Sequence, residues 1–194
     1  MTLPAVTVAT EAQRRTAVST IALAFVTDPL VRWALPDPVA YLAVMADFAD
    51  AFGGTGLSHG ATLLADDGGG AAMWLPPGVT PDDERMGALM QGRMDPATAL
   101  DMQGVFEQMA GFHPPQPHWY LPLIGVDPAR QGRGLGAALM RHAVARCDAE
   151  GTVAYLESSN PRNISLYERH GFEAQGTIQV GASPQVVPML RHPR

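Results

Sequence analysis

A glycine-rich segment in the C-terminal half of the chain contains the residues best suited to bind an anion. Every second residue from 132 to 136 is a glycine: Gly132, Gly134 and Gly136. A hydrophobic run precedes these glycines, and a segment with helical character follows them. A turn from a strand into a helix exposes backbone N–H groups without partners inside the helix, and the helix dipole adds partial positive charge there. Glycine lets this backbone approach phosphate oxygens without an intervening Cβ. The spacing therefore predicts a phosphate-binding turn, with Arg130 and Arg133 able to reach the same charge.

Two familiar nucleotide-binding loops do not fit this segment. All thirteen basic residues are arginine, so the P-loop lysine is missing, and Gly136 is followed by Ala137 instead of Lys. A dinucleotide fingerprint that starts at Gly134 would have Leu139 at its third glycine. The absence of lysine also excludes a Schiff-base lysine. On the residues alone, a loop that only permits tight packing remains the alternative.

The elements around the loop follow from hydrophobic periodicity. A buried strand over 118–126 precedes it, and a helix that runs to about Glu150 follows it. The next strand is expected over 153–158, and a helical crossover between two strands predicts a right-handed, parallel pair. Pro122 cannot donate a ladder hydrogen bond, so it predicts an irregular strand at that point.

The rest of the chain is predicted to add strands and helices to the same α/β domain, residues 1–194. Helical spacing begins at Thr10 and is expected to end at Asp28-Pro29. The other predicted elements are a strand over 3–10, helices over 38–52, 81–110 (interrupted at 95–96) and 161–170, and hairpins of strands 60–66 with 70–76 and 172–180 with 185–191.

Composition narrows the class of protein. The chain has 194 residues, 46% of them hydrophobic and 16% charged, which is typical of a folded domain. Apolar runs stop before the roughly 18 residues of a membrane span, and the N-terminal segment lacks a signal-peptide pattern, so we expect a cytoplasmic protein without membrane contact. A net charge of −6 without a basic stripe argues against nucleic-acid binding. Cys147 is the only cysteine, which excludes an intrachain disulfide and a multi-cysteine zinc site, and we expect no metal.

Two sequence blocks resemble the GNAT family of N-acetyltransferases. The segment V-D-P-x-x-Q-G-x-G-x-G-x-x-L, from Val126 to Leu139, is similar to the acetyl-CoA binding motif of that family. The segment N-P-R-N-I-S-L-Y-E-R-H-G-F, from Asn160 to Phe172, resembles its Asn…Tyr-Glu-x-x-Gly-Phe block. Within the family the pattern is most similar to puromycin N-acetyltransferase-like members. The resemblance, clearest over 117–173, implies an α/β (in some schemes α+β) GNAT fold: a mixed, mostly antiparallel sheet with one splayed parallel strand pair, flanked by helices.

The resemblance also implies acetyl-CoA as the cosubstrate. In the family, the loop amides hold the pyrophosphate and the preceding strand pairs with the pantetheine arm. By the same resemblance Asn160 contacts the pantetheine and Tyr167 lies near the thioester sulfur. The residues expected to bind the cofactor are Ile124, Gly125, Val126, Gln131, Gly132, Arg133, Gly134, Leu135, Gly136, Ala137, Asn160, Asn163 and Tyr167.

Acetyl transfer from a thioester to an amine needs a neutral amine, an oxyanion stabiliser and a proton for the departing thiolate. The hydroxyl of Tyr167 is the candidate proton donor. A backbone N–H between Ile124 and Val126 is the candidate oxyanion stabiliser. Glu157 ends the second parallel strand, where ligand sites of α/β sheets collect, and is the candidate base. His118 and a water molecule are the alternatives for that role.

The acceptor is expected to bind segments that precede the cofactor-binding half, together with the start of the strand at 118. The candidate residues are Asp28, Trp33, Trp74, His118 and Tyr120, with core packing as the alternative for the tryptophans. The sequence thus predicts an N-acetyltransferase that acts on a primary amine of a small molecule, antibiotic-like or metabolite, by direct transfer in a ternary complex. We expect a monomer or a homodimer. A catalytically silent acyl-CoA sensor and a protein or peptide N-acetyltransferase remain as alternatives.

Overall fold

A seven-stranded mixed sheet is the centre of the molecule, which a computed structural model describes over residues 4–194. Its strands are β1 (Val6–Val8), β2 (Thr62–Ala65), β3 (Gly70–Leu75), β4 (His118–Val126), β5 (Val153–Ser158), β6 (Glu173–Ala174) and β7 (Val187–Arg191). Their order is β1-β2-β3-β4-β5-β7-β6, and β4 with β5 is the parallel pair among otherwise antiparallel neighbours. This arrangement confirms the predicted mixed, mostly antiparallel sheet.

Helices cover both faces of the sheet. They are α1 (Arg14–Ala24), α2 (Pro29–Ala34), α3 (Pro38–Gly53), α4 (Asp83–Met90), α5 (Pro96–Phe112), α6 (Leu135–Glu150) and α7 (Ile164–Arg169). On one face α6 buries Leu139 and Met140 completely, and on the other α1 and α3 bury Ile21 and Met45. Because both faces are covered, every residue of β2 and β3 is buried. Across residues 4–194, none of these helices is long and apolar enough to cross a membrane.

Strand β4 contains one extra residue where it leaves β5. Between the pairs Tyr120–Leu75 and Leu123–Met73, β4 advances three residues while β3 advances two. The parallel pairing with β5 ends one residue before Pro122. A bulge of this kind bends a strand and disrupts its ladder. The irregularity predicted at Pro122 is confirmed, and the second half of β4 keeps β3 as its neighbour while its other edge is left free of β5.

Some predicted bounds differ from those of the structure. Helix α1 ends at Ala24, before the predicted stop at Asp28-Pro29, and a 3-10 turn over Phe25–Thr27 leads to Asp28. Asp28-Pro29 begins α2, a helix that the sequence did not predict. The Asp28 carboxylate accepts hydrogen bonds from Leu30 and Val31 N–H, each at 3.1 Å, and Pro29 occupies the first turn. The strand predicted over 172–180 is limited to β6 and a single bridge from Ile178. The strand predicted over 3–10 is three residues long (β1), and its first position lies outside the described residues.

Candidate functional site

The glycine loop presents backbone donors to open space. Gly132 and Gly134 have φ angles of 77° and 79°, which side chains disfavour, and a Cβ on either would meet no atom within 4 Å. Gly134 is the N-cap of α6, and no side chain caps that end. The first-turn N–H groups, from Leu135 to Ala137, therefore have no acceptor within the helix. This geometry suits an anion.

The start of the loop is fixed to the sheet. The carboxylate of Asp127 accepts from Ala129 N–H at 2.9 Å, and the backbone N–H of Asp127 donates to Gly69 O at 3.0 Å. Arg130 donates to the backbone oxygen of Asp66 at 2.9 Å, so its guanidinium is already engaged. Arg133 is exposed, and of the two arginines it is the one whose charge faces solvent beside the loop.

The second half of β4 leads to the glycine loop from the fork, the point after Leu121 at which β4 separates from β5. Its residues Ile124, Gly125 and Val126 pair with β3, and the edge towards β5 has no strand partner. A Cβ on Gly125 would overlap Ala24 of α1, so glycine permits the close packing of that helix. The free edge offers backbone groups to an extended ligand, as β-strand addition requires.

Tyr167 lies on α7 and belongs to the core cluster beneath α6. It is 5% exposed, and its ring meets Phe172 edge-on at a centroid distance of 6.3 Å. Burial, and after it the charge of Asp28, raises the pKa of Tyr167, while a hydrogen bond with Asn163 opposes this. The hydroxyl therefore keeps its proton at neutral pH. Asn160 begins the turn before α7, where its side-chain oxygen accepts a backbone hydrogen bond.

Asp28 connects α2 to the end of β5. Its second carboxylate oxygen accepts from the hydroxyl of Ser159 at 2.7 Å, in addition to the two α2 amides. The residue is 5% exposed, and burial raises its pKa against the lowering effect of these three donors. Protein groups thus occupy the carboxylate that the sequence proposes for substrate binding.

A chain of polar groups leads from a buried carboxylate to the surface. Glu157, with a side chain that is 3% exposed, has Oε1 at 3.3 Å from Nε2 of His113. Nδ1 of His113 lies 3.1 Å from Nε2 of His118, and Nδ1 of His118 lies 2.9 Å from the backbone oxygen of Gln116. Burial lowers the pKa of His118. We name these three side chains, Glu157, His113 and His118, the Glu–His–His cluster.

Proton counting shows what this cluster can do. The chain of contacts starts at an oxygen of Glu157 and ends at the carbonyl of Gln116, so both ends accept hydrogen bonds. Three contacts need three protons, yet two neutral imidazoles supply one N–H each. With an ionised Glu157 and neutral histidines, one contact therefore lacks its proton: the one between His113 and Glu157, which is close but not aligned as a hydrogen bond. The cluster has room for one further proton there, as a base requires.

Two tyrosines enclose the cluster. The ring of His113 lies 4.6 Å from that of Tyr155 and 4.7 Å from that of Tyr120, centroid to centroid. Burial, and after it the charge of Glu157, raises the pKa of both tyrosines. Among the described residues, no hydrogen bond of good geometry reaches Glu157 Oε1 or the Tyr155 hydroxyl. Glu157 belongs to the wall of a cavity, so this oxygen can accept a hydrogen bond from a ligand there.

A large apolar cavity opens in front of Glu157. Its volume is about 1550 Å³, and residues of α2 to α5 line it together with the start of β4 and the end of β5. Glu157, both cluster histidines, Tyr120 and Ser159 form part of its wall. The cavity lies on the face of the sheet that α3 covers. At the fork between β4 and β5 it meets the strand that leads to the glycine loop.

Comparison with known proteins identifies the family. A family model described as acetyltransferase (GNAT) family matches residues 73–172. This span includes β4, the glycine loop, β5 and Tyr167. The chain belongs to the GNAT family of acetyltransferases.

Two relatives are similar to part of this GNAT chain, and one solved structure is similar to its whole fold. An uncharacterized N-acetyltransferase of Schizosaccharomyces pombe is 31% identical over 151 residues, which cover 70% of this chain and 61% of that protein. Mycothiol acetyltransferase of Mycolicibacterium gilvum is 43% identical over 63 residues, which cover 28% and 21%. The chain thus spans less than two thirds of either relative. A solved structure from Corynebacterium glutamicum, described as histone acetyltransferase HPA2 and related acetyltransferase, has a TM-score of 0.69 at 26% identity and covers 100% of this chain and 98% of its own.

The GNAT chain brings only some of the predicted acceptor-side residues to the cavity. His118 and Tyr120 line it, and Asp28 adjoins it through Ser159. Trp74 lies on the opposite face of the sheet, buried against α6. Trp33 packs outside the lining, in a small cluster with residues of α5.

His113 is the member of the Glu–His–His cluster that the sequence did not predict. It lies in the stretch F-H-P-P-Q-P-H, which is interpreted above as a connection. The available signal is a pair of histidines around a proline-rich turn that directly precedes β4. Elsewhere in the GNAT chain, burial raises the pKa of the Cys147 thiol to about 12, and residues 4–194 contain no group of three or more His, Cys, Asp or Glu placed to hold a metal.

Proposed function

We propose that this GNAT chain transfers an acetyl group from acetyl-CoA to the primary amine of a small molecule, directly within a ternary complex. The observation that carries the proposal is the buried carboxylate of Glu157 at the fork between β4 and β5, facing an apolar cavity. A carboxylate in this position can take a proton from an ammonium group that arrives through the cavity. The glycine loop lies at the other end of the same strand.

The residues present fit acetyl-CoA, which supplies the acetyl group as an activated thioester when bound. The unoccluded N–H groups around Gly132 and Gly134 suit its pyrophosphate. The free edge of β4 at Ile124 to Val126 suits the amides of its pantetheine arm, and one N–H there is the proposed oxyanion stabiliser. We propose the other predicted cofactor contacts, including those of Asn160, Asn163 and Tyr167, on the family resemblance.

Two groups of this chain would handle the protons. An ammonium acceptor loses two protons when it becomes an amide. The Glu–His–His cluster takes the first proton. Through His118 it passes this proton towards the surface, where His118 contacts the backbone carbonyl of the exposed residue Gln116. Tyr167 donates a proton to the departing sulfur and is reprotonated by the second, so one proton in total is released to water per turnover.

The family resemblance to puromycin N-acetyltransferase-like members supports a small-molecule acceptor as part of this proposal. A single domain of residues 1–194, a cytoplasmic location and a monomeric or homodimeric state complete it. None of these points is needed for the chemistry at Glu157.

The test is acetyl-CoA turnover, followed by thiol release, on a panel of amines, aminonucleosides and peptides. Cys147 is buried and adds little background to a thiol assay. We expect turnover of a small amine, and a kcat lower by about 100-fold or more for Glu157→Gln, because general base catalysis contributes on this scale. The matched control is Glu173→Gln, an exposed carboxylate outside the cavity. Coenzyme A binding without turnover of any acceptor would favour the sensor alternative and overturn the proposal, and turnover of peptides alone would favour the protein acetyltransferase.

A further inference from the structure

The charged side chains in the cavity wall all have the same sign at neutral pH. Four carboxylates line it, those of Asp83, Glu84, Glu107 and Glu157. None of the thirteen arginines, all of which lie within residues 4–194, belongs to the lining. Asp83, Glu84 and Glu107 are exposed, whereas Glu157 is buried. The wall therefore attracts a cation. The only basic groups in it are His113 and His118, whose ring nitrogens face one another, Glu157 and the Gln116 carbonyl, so no free cationic side chain is left for an anionic group.

An aromatic row leads through the cavity towards Glu157. The rings of Phe48 and Phe52 lie 5.8 Å apart, and those of Phe52 and Tyr120 lie 6.2 Å apart in an edge-on arrangement. Tyr120 in turn contacts the His113 ring, whose Nε2 faces Glu157. Aromatic faces bind both apolar rings and cations. A ligand with a ring system along this row would have its amine next to the buried carboxylate.

The volume of the cavity and the residue composition of its wall favour a bulky apolar ligand. The cavity volume of about 1550 Å³ exceeds the roughly 300–1,000 Å³ of ordinary small-molecule pockets. Six of the ten methionines line it, among them Met86, Met90 and Met109. Methionine side chains are flexible and adapt to ligand shape. A short polar amine would leave most of this surface in contact with water.

We propose that the acceptor is a hydrophobic primary amine: an ammonium group on a bulky, ring-containing body that has no carboxylate or phosphate. This inference rests on the proposed acetyl transfer, because it assigns the acceptor of that reaction. The ammonium group pairs with Glu157, and the body packs along Phe48, Phe52 and Tyr120. An anionic group on the same body would be desolvated in the cavity without a cation to pair with it, which is costly.

The test compares amines that differ by one group. Tryptamine is matched with tryptophan and 2-phenylethylamine with phenylalanine, while 1,4-diaminobutane provides the cation without the apolar body. We expect kcat/KM to be at least about 100-fold higher for each amine than for its amino acid, because the unpaired carboxylate is rejected. We also expect kcat/KM for each of these amines to be at least about tenfold higher than for 1,4-diaminobutane, because the diamine lacks the apolar contacts. Equal rates for an amine and its amino acid would overturn the inference.

A charge variant tests whether the negative charge of the cavity wall attracts the acceptor. Glu107→Lys places a cation at an exposed lining position and should lower kcat/KM for tryptamine by about threefold to tenfold at low ionic strength, with the effect reduced by salt. Glu173→Lys changes the net charge equally but lies outside the lining, and it should leave kcat/KM unchanged. An equal effect of the two variants would contradict a role of the wall charge.

Ligand binding separates this inference from the proposed function. Thermal stabilisation of the protein by each compound, in the presence of coenzyme A, needs no turnover. If no amine is acetylated but tryptamine stabilises the protein and tryptophan does not, the ligand class stands and the acetyl-transfer proposal fails. If polar amines or amino acids are acetylated as well as tryptamine, the proposed function stands and the acceptor class is wrong.

Discussion

His113 lies between His118 and Glu157, with Nδ1 at 3.1 Å from Nε2 of His118 and Nε2 at 3.3 Å from the carboxylate. Each ring nitrogen of His113 thus faces a different partner. Because an oxygen acceptor stands at both ends of the chain, the two imidazoles cannot satisfy all contacts while both are neutral and Glu157 is ionised. The relationship makes the protonation of the three side chains a single coupled property.

Replacing His113 should therefore change a pH profile as well as a rate. We expect His113→Gln to lower kcat by about tenfold to 100-fold and to move the acidic limb of the kcat profile, because Glu157 loses its imidazole neighbour. The affinity for acetyl-CoA should stay within about twofold. His59→Gln, at an exposed histidine outside the cavity, is the control. A lower rate with an unmoved limb would indicate a merely structural role for His113.

The folding stability should also report on the protonation of His118. Burial, assisted by the charge of a protonated His113, lowers the pKa of His118 below its ordinary value of 6.5, against the opposing effects of the Gln116 carbonyl and Glu157. The unfolded chain therefore binds a proton more readily than the folded one, so this contribution to stability is lost as the pH falls through 6.5. We expect the free energy of unfolding of His118→Gln to fall less than that of the wild type over this acidic range. Parallel curves for the two proteins would contradict the lowered pKa.

The two ends of α6 allow a controlled test of the glycine loop. Gly134 and Gly151 cap this helix with φ angles of 79° and 63°, and a Cβ on either would meet nothing within 4 Å. Gly134→Trp and Gly151→Trp should therefore cost a similar backbone strain of about 1–2 kcal/mol. We expect the Kd for coenzyme A to rise by about 100-fold or more for Gly134→Trp only, because the side chain blocks the anion site. Wild-type affinity in Gly134→Trp, measured by calorimetry, would refute the loop assignment.

The hydroxyl of Tyr167 should matter for turnover more than for binding. Tyr167→Phe is expected to lower kcat by about tenfold to 100-fold, because the departing sulfur loses its proton donor, while KM for acetyl-CoA stays within about twofold. The matched control is Tyr41→Phe, which removes a hydroxyl that donates to the backbone of Ala22 and lies outside the cavity. If both variants keep full kcat in steady-state assays, the donor is another group.

Local signals explain which parts of the site the sequence predicts. The glycine loop, α6 and the parallel strands depend on neighbouring residues, and the structure has them where the sequence places them. The contact between His113 and Glu157 joins the end of α5 to the end of β5, so nothing in either segment indicates it. The position of Trp74 depends on strand register, because adjacent residues of a strand point to opposite faces. A pattern on one strand cannot decide which face will border the cavity.

The dipeptide Asp28-Pro29 shows a different limit of sequence-based prediction, because residues that stop a helical pattern also begin the next helix, α2. The Asp28 carboxylate caps α2 and accepts from Ser159, and burial raises its pKa, so its charge is penalised in the folded protein. Asp28→Asn keeps an oxygen for the α2 amides and gains an N–H that can donate to Ser159. We expect its free energy of unfolding at pH 7 to equal or exceed that of the wild type, whereas Asp28→Ala should lose about 1–2 kcal/mol with the cap. Denaturant unfolding measures both, and an Asp28→Ala variant as stable as Asp28→Asn would contradict the capping role.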